Sequence, residues 1–318
     1  MKTVNGNVKT GYLQVFTQKP LLKKIKNSRI LLLMLLPAVI YYILFQYKPM
    51  WGVLIAFKQY SIYKGFEASP WVGLRYFISF FSSPDSFVVI KNTLLLSFYM
   101  LVWEFPIPIM FALMLNEVGN LKAKKFVQTV SYMPHFISTV VVCSMLTMFL
   151  NPSTGVINNL LDSLGYERIY FLSKDYYFRT IYIASGIWKE TGFNSIIYLA
   201  AIAGIDLQLY ESAKIDGANK WRQIIHITIP CIAPTIVILF ILNMGQLMNV
   251  GFDKAFLLQM PATYSTSDVI STYVYRSGIK QGNFSYGTAI GLFNSIINIV
   301  FLLVSNTLAK HAGETSLW

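Results

Sequence analysis

The 318-residue chain is 55% hydrophobic and 13% charged, about half the charge that a water-soluble domain carries. Its apolar runs are too long for core helices of a soluble fold, because roughly 20 apolar residues cross a bilayer and several stretches reach that length. The 26 Lys and Arg outnumber the 14 Asp and Glu and leave a net charge of +12, but they form no single basic patch interleaved with aromatics, which excludes nucleic acid as the expected partner.

The chain opens on a basic segment, 1–29, that includes Lys19, Lys23, Lys24, Lys26 and Arg29. Within it, 13–25 reads as a weakly amphipathic helix on a membrane surface. The first span is expected at about 30–47. A signal peptide shares its charged start and apolar core, but here the core begins late and no small-residue cleavage site follows. Pro37 lies inside the span, where neighbouring helices can satisfy the freed backbone groups.

Further spans are expected at about 93–115, 134–150, 180–205, 234–258 and 288–308. They complete an all-α, six-span domain over 30–310, followed by a short tail at 311–318. Lys189 and Glu190 interrupt the fourth span, and charge inside a helical bundle marks a functional position. Six spans place both termini on one side, and the basic residues before the first span make that side cytoplasmic. The opposite loops, 48–91, 151–179 and 258–287, are rich in Tyr and Phe, which suits short helices at the membrane interface.

Cys143 and Cys231 lie in or beside apolar runs and read as packing residues, so neither a disulfide nor a metal site is expected. His135, His226 and His311 lack metal-ligand spacing, and no nucleophile and base stand together. The expectation is no catalytic residue and no metal on this chain. Internal repeats and low-complexity tracts are absent from the sequence, which speaks against a secondary transporter built from inverted repeats.

The segment 206–230 is the most informative. Leu207, Tyr210 and Lys214, then Trp221, Ile224 and Ile225, recur at helical spacing. Gly217 lies between the two faces, where a turn needs a residue without a Cβ, and Asn219 suits the N-cap of the second helix. Pro230 and Pro234 mark re-entry into the membrane, since proline is tolerated in a first helical turn. The small Ser212 and Ala213 would let a soluble partner approach closely.

Glu211-Ser212-Ala213, three residues, Gly217, nine residues, then Ile227, Ile229 and Pro230 are similar to the EAA loop of binding-protein-dependent ABC importer permeases. Ser212 replaces an alanine of that pattern and Ile229 a leucine, both close in size. Trp71-Val72-Gly73-Leu74-Arg75-Tyr76-Phe77 resembles an element preceding the second span of sugar permeases, and Asp268-Val269-Ile270-Ser271-Thr272-Tyr273-Val274-Tyr275 resembles the last outer loop of their oligosaccharide branch. The likeness covers roughly residues 25–310.

The resemblance implies a type I permease of the bacterial cell membrane that pairs with a second homologous permease, an ABC ATPase dimer and an external solute-binding protein. Its implied cargo is an oligosaccharide, with acidic plant-polysaccharide fragments among the candidates and a non-sugar solute as the alternative. Glu211, Ser212, Ala213, Asp216, Gly217 and Ala218, with Ile227 and Pro230, would form the coupling element seated in the ATPase. The chain has no phosphate-cradling G-x-x-x-x-G-K-[ST] loop, so ATP and Mg would be bound by the partner ATPase and no cofactor by this chain.

The polar residues within the spans are the candidates for a solute pathway. Gly186, Glu190 and Phe193 share one face of the fourth span, with Asn194 beside them. Asn243 and Gln246 share a face of the fifth, with Asn249 nearby. Amides and carboxylates suit sugar hydroxyls, and an aromatic face suits the apolar side of a sugar ring. The same amides also serve as cross-links between helices, and both readings stand. Glu104 reads as a structural partner for a neighbouring helix, and Asp253 with Lys254 as an outer gate or a surface pair.

Overall fold

The computed structural model describes residues 28–313 and 315–318, so the expected surface helix at 13–25 lies outside the described residues. The chain divides into two compact units, Met1–Val53 and Leu54–Trp318. All regular structure among the described residues is helical, apart from the isolated bridges Lys58–Trp71 and Ser61–Gly65. Helix α1 (Arg29–Phe57) begins in the first unit, is apolar on every side, and its Arg29–Tyr42 stretch buries none of its residues. A helix of that kind belongs in lipid.

In the second unit, a short helix α2 (Arg75–Phe81) leads into α3 (Pro84–Asn116). Ser83 caps α3 by accepting a hydrogen bond from the Asp85 N–H at 3.4 Å, with Pro84 in the first turn. The helix therefore starts well before the apolar run at 93–115. Next come α4 (Leu121–Phe136) and α5 (Thr139–Phe149), which meet at 97°. Pro134 tightens the end of α4 and Ser138 caps the start of α5, so the helical path bends near the start of the expected span at 134–150.

The short α6 (Val156–Ser163) precedes α7 (Asp175–Ala203), which bends by 71° into α8 (Leu207–Ile215). Then follow α9 (Lys220–Met244), α10 (Phe252–Leu258), α11 (Ile270–Val274) and α12 (Phe284–His311). The expected fifth span, 234–258, is corrected here: α9 begins at Lys220 and stops at Met244, and the polar stretch around Gln246 and Asn249 separates it from α10. By length and composition four helices can cross a membrane, or six elements if each bent pair is one span.

Helix α7 is the centre of this unit and packs most extensively on the Pro106–Asn116 half of α3. Tyr198 and Ile202 of α7 bury against Ala112 of α3 and Ile232 of α9. A second cluster joins Leu96 and Cys143 to Phe178, Tyr182 and Ile183, with Ala255 and Leu258 of α10. A third gathers Phe80, Val89, Met248, Tyr273 and Ile290. Outside these clusters, large apolar residues such as Phe87, Met114 and Met148 remain exposed, as a lipid-facing surface requires.

Three of the four π turns among the described residues end two residues before a proline. They are Ile43–Tyr47 before Pro49, Met100–Glu104 before Pro106, and Ile224–Thr228 before Pro230. Proline lacks an N–H, and its ring crowds the carbonyl four residues back. The widened turn moves the preceding bond back by one residue, as in Phe105 N–H to Met100 O at 3.2 Å and Ile229 N–H to Ile224 O.

Candidate functional site: an exposed helical knob and two polar cavities

The segment 206–230 forms two helices joined at Gly217, but Pro230 and Pro234 lie inside a continuous α9 that starts at Lys220 and not in a first helical turn. Asp206 caps α8 through the Gln208 N–H at 3.0 Å. At the other end, the Ala218 N–H reaches Ala213 O at 2.8 Å and the Gly217 N–H reaches Lys214 O at 3.1 Å, the paired bonds of a Schellman motif. That motif needs a left-handed residue, and Gly217 has φ of +77°. Asn219 then caps α9 by accepting from the Arg222 N–H at 2.9 Å.

One further bond ties α8 to α9 within the knob, with Tyr210 Oη and Thr228 Oγ1 2.8 Å apart, and one ties the knob to the bundle, with Lys220 Nζ 2.6 Å from Glu117 Oε2 at the end of α3. Glu211, Ser212, Asp216, Gly217 and Pro230 are exposed, while Ala213, Ala218 and Ile227 are half-buried. Ile215 is 87% exposed and Trp221 73%. A folded turn that presents Ile215 and Trp221 to solvent is a surface fit for a protein partner.

Two of the polar cavities among the described residues gather most of the expected pathway residues. One, of about 290 Å³, brings together Asn194 of α7, Asn243 of α9 and Gln246 and Asn249 of the following stretch, with Ser97, Glu104 and Tyr198. The other, of about 310 Å³, is lined by Gly186, Lys189 and Glu190 of α7 and by Tyr182, Asp253 and Lys254. Glu104 and Asn249 line both. Phe193 lines neither. Its ring lies against His135 instead, with centroids 3.8 Å apart.

The bonds made by these side chains separate fixed from available groups. Asn249 Oδ1 accepts from Asn294 Nδ2 at 2.9 Å and from Asn298 Nδ2 at 3.0 Å, so it cross-links the stretch to α12. Asn243 Nδ2 donates to Leu239 O of its own helix at 2.8 Å. Glu190 is held on both oxygens: Lys189 Nζ donates to Oε1 at 3.0 Å, and His135 Nδ1 lies 2.7 Å from Oε2. Lys254 does not pair with Asp253. It turns inward, donates to Tyr182 O at 2.5 Å and lies 4.2 Å from the centre of the Tyr182 ring.

Sequence reasoning missed Glu104, His135 and Lys254 as members of this site. The available signal was a charged or imidazole side chain within or beside each of three separate apolar runs. Among the described residues, no group of three His, Cys, Asp or Glu side chains could hold a metal ion.

On the far side of the bundle from the knob, a buried polar network binds α3, α7 and α11. Asn92 donates to Ser265 O and Asp268 O, each at 3.1 Å, and accepts from Arg179 Nη2 at 2.9 Å. The buried Asp268 receives both Arg276 nitrogens, at 3.0 and 2.5 Å, and Thr272 Oγ1 at 2.9 Å. These bonds to the carboxylate hold the Arg276 guanidinium pKa above its ordinary value.

A helical membrane bundle with polar internal cavities and an exposed helix–turn–helix defines the transmembrane subunit of a transporter. The chain belongs to the family of binding-protein-dependent transport system inner membrane components, whose model matches residues 16–313. It is 45% identical over 321 residues to the polygalacturonan/rhamnogalacturonan transport system permease protein YteP of Bacillus subtilis (strain 168), covering 100% of both chains. It is also 45% identical to Protein LplB of the same organism over 294 residues, 92% of each chain.

Among solved structures, the chain matches a bacterial alginate ABC transporter in complex with an alginate pentasaccharide-bound periplasmic protein. The TM-score is 0.87 at 46% identity, over 94% of this chain and 100% of the other. A structure of a bacterial ABC transporter involved in the import of the acidic polysaccharide alginate matches with a TM-score of 0.86 at 47% identity, covering 92% of this chain and 99% of the other. The fold is that of the type I ABC permeases, and the chain is a permease of a binding-protein-dependent transport system.

Proposed function

We propose that this chain forms one half of the pathway through which an ATP-driven importer admits acidic oligosaccharides. The observation that carries the reading is the 46% identity, over 94% of this chain, to a transporter solved with an alginate pentasaccharide-bound periplasmic protein. A relative named for polygalacturonan and rhamnogalacturonan supports the same class of cargo. In this reading an external binding protein delivers the sugar, a second homologous permease completes the pathway, and an ABC ATPase dimer binds ATP and Mg.

The helices then form six spans, with both termini and the 206–230 knob on the cytoplasmic side. Glu211, Ser212, Ala213, Asp216, Gly217 and Ala218 seat in a cleft of the ATPase, with Ile227 and Pro230 where the chain re-enters the membrane. The Schellman turn and the Tyr210–Thr228 and Lys220–Glu117 links make the knob a stiff extension of α9 and α3. Movement of the ATPase is therefore passed to two of the three helices that line the first cavity, α3 and α9. Asn194, Asn243 and Gln246 offer amides to sugar hydroxyls along that path, and Gly186 and Glu190 border its continuation.

The test is co-purification of the tagged chain with its co-expressed neighbours, followed by an ATPase assay with binding protein that is empty or loaded. We expect an ATPase and a second permease to co-purify, and hydrolysis to rise with binding protein loaded with alginate or galacturonate oligomers. Stimulation by neutral oligosaccharides alone would overturn the acidic cargo. Transport by the chain alone, without ATP, would overturn the importer.

A further inference from the structure

The two cavities meet at Glu104, the last residue of the π turn in α3. Its Oε1 is buried and has no hydrogen-bond partner among the described residues. Lys254, from α10, comes to the same place from the opposite wall. Gly186 makes this possible: a Cβ there would collide with the Glu104 carboxylate and would lie 3.1 Å from Lys254 Nζ. The two charges thus border one space, yet no N–O approach within 4.0 Å joins them among the described ion pairs.

The other charges of this cavity are differently placed. Lys189 and Glu190 satisfy each other, with His135 on the second Glu190 oxygen. Asp253 lies on the exposed rim. Of the two lysines lining the cavity, Lys254 is the one with no carboxylate bonded to it, held by one carbonyl and the face of Tyr182. An ammonium withdrawn from water without a bonded carboxylate is costly, and an incoming carboxylate relieves that cost through a charge-assisted hydrogen bond.

Resting on the acidic cargo proposed above, we propose that Lys254 receives the carboxylate of a sugar unit passing between the two cavities. Glu104 is the competing carboxylate that keeps this contact weak. A pathway must bind its solute well enough to admit it and loosely enough to release it. Glu104, close to Lys254 but not bonded to it, meets the second requirement: its carboxyl group offers Lys254 an alternative partner within the same space. Gly186 supplies the room, and Tyr182 holds the ammonium at the wall.

The experiment uses the assembled transporter in proteoliposomes with saturating binding protein, and follows ATP-dependent uptake of a galacturonate trisaccharide. Lys254→Gln is expected to lower uptake by about tenfold or more, the loss of one charge-assisted hydrogen bond, whereas Lys254→Arg stays within about threefold of wild type. Wild-type uptake by Lys254→Gln would overturn the inference, and so would an equal loss in Lys254→Arg, since shape and not charge would then matter. If Lys254→Gln fails to assemble, Glu104→Gln/Lys254→Gln removes both charges together and carries the same expectation. If the wild-type transporter carries neither the galacturonate trisaccharide nor an alginate trisaccharide, the acidic cargo itself is refuted and the role of Lys254 falls with it.

Discussion

The His135 ring lies parallel to that of Phe193, 1° apart in plane and 3.8 Å between centroids, while its Nδ1 lies 2.7 Å from Glu190 Oε2. Both partners are on α7, one turn apart, and His135 occupies the end of α4 just before the 97° bend. One imidazole thus fixes the corner of a broken helix to the central helix by two different contacts.

Replacing His135 separates those contacts. His135→Ala should lower the thermal midpoint of the purified complex and reduce uptake, since it removes a bond to a charged group worth about 1.5–3 kcal/mol. His135→Phe keeps the stack on Phe193 but leaves Glu190 short of a partner, so its midpoint should fall between those of wild type and His135→Ala. Equal midpoints for wild type and His135→Ala would show that the corner is held by other contacts.

The Gly217 position is a test of backbone geometry. No atom lies within 4 Å of a Cβ placed there, so any penalty comes from its φ of +77°. A left-handed residue with a side chain costs roughly 1–2 kcal/mol, and asparagine less. Gly217→Asn should retain most uptake, whereas Gly217→Val and Gly217→Pro should lose it with membrane insertion unchanged. Full uptake by Gly217→Pro, which cannot adopt this φ, would remove the docking role of the turn.

Ile215 and Trp221 test the surface of the knob. Both are exposed apolar residues on an otherwise polar turn. Ile215→Glu should abolish co-purification of the ATPase while leaving the second permease bound, and Trp221→Ala should weaken it. Retention of the ATPase by Ile215→Glu would move the contact to another face.

Asn92 tests the network at the opposite end of the bundle. Its amide serves two carbonyls, and its oxygen serves Arg179, at 1% exposure. Asn92→Leu should destabilise the complex by about 3 kcal/mol or more, because it leaves several buried polar groups unpaired. Asn92→Asp keeps the acceptor for Arg179 but cannot donate to the carbonyls of Ser265 and Asp268, so its thermal midpoint should also fall. A midpoint unchanged in both variants would show that the network adds nothing to stability.

The residues that could be read from the sequence are those whose signals are local. Gly217, Asn219 and the helical faces on either side lie within a few positions of one another, and each has its own turn or cap chemistry. Hydropathy could not separate α9 from α10, because Phe252–Leu258 restores an apolar average after the polar break. It also placed the start of α3 too late, since the Ser83-Pro84-Asp85 cap precedes the apolar run. Asn194, Asn243, Gln246 and Asn249 were recognisable as polar groups in apolar runs, and they do converge. The meeting of Glu104, Gly186 and Lys254 depends on how three distant helices pack, and no spacing encodes it.

The π turn in α3 changes which residues face inward along that helix. Before the turn, Val89, Asn92, Thr93, Leu96 and Ser97 are buried; after it, Pro108, Ala112 and Leu115 are. A uniform helix would carry the first stripe on to 107, 111 and 114, at about 100° per residue. The buried stripe has slipped by one position, as though a single residue had been inserted and absorbed without breaking the helix. Proline here acts as a phase marker: the count of inward and outward positions restarts on its far side, and deleting one residue from 101–103 would return the turn to α geometry with both buried stripes of α3 still in line, whereas adding one would turn its second half by about 100° against α7.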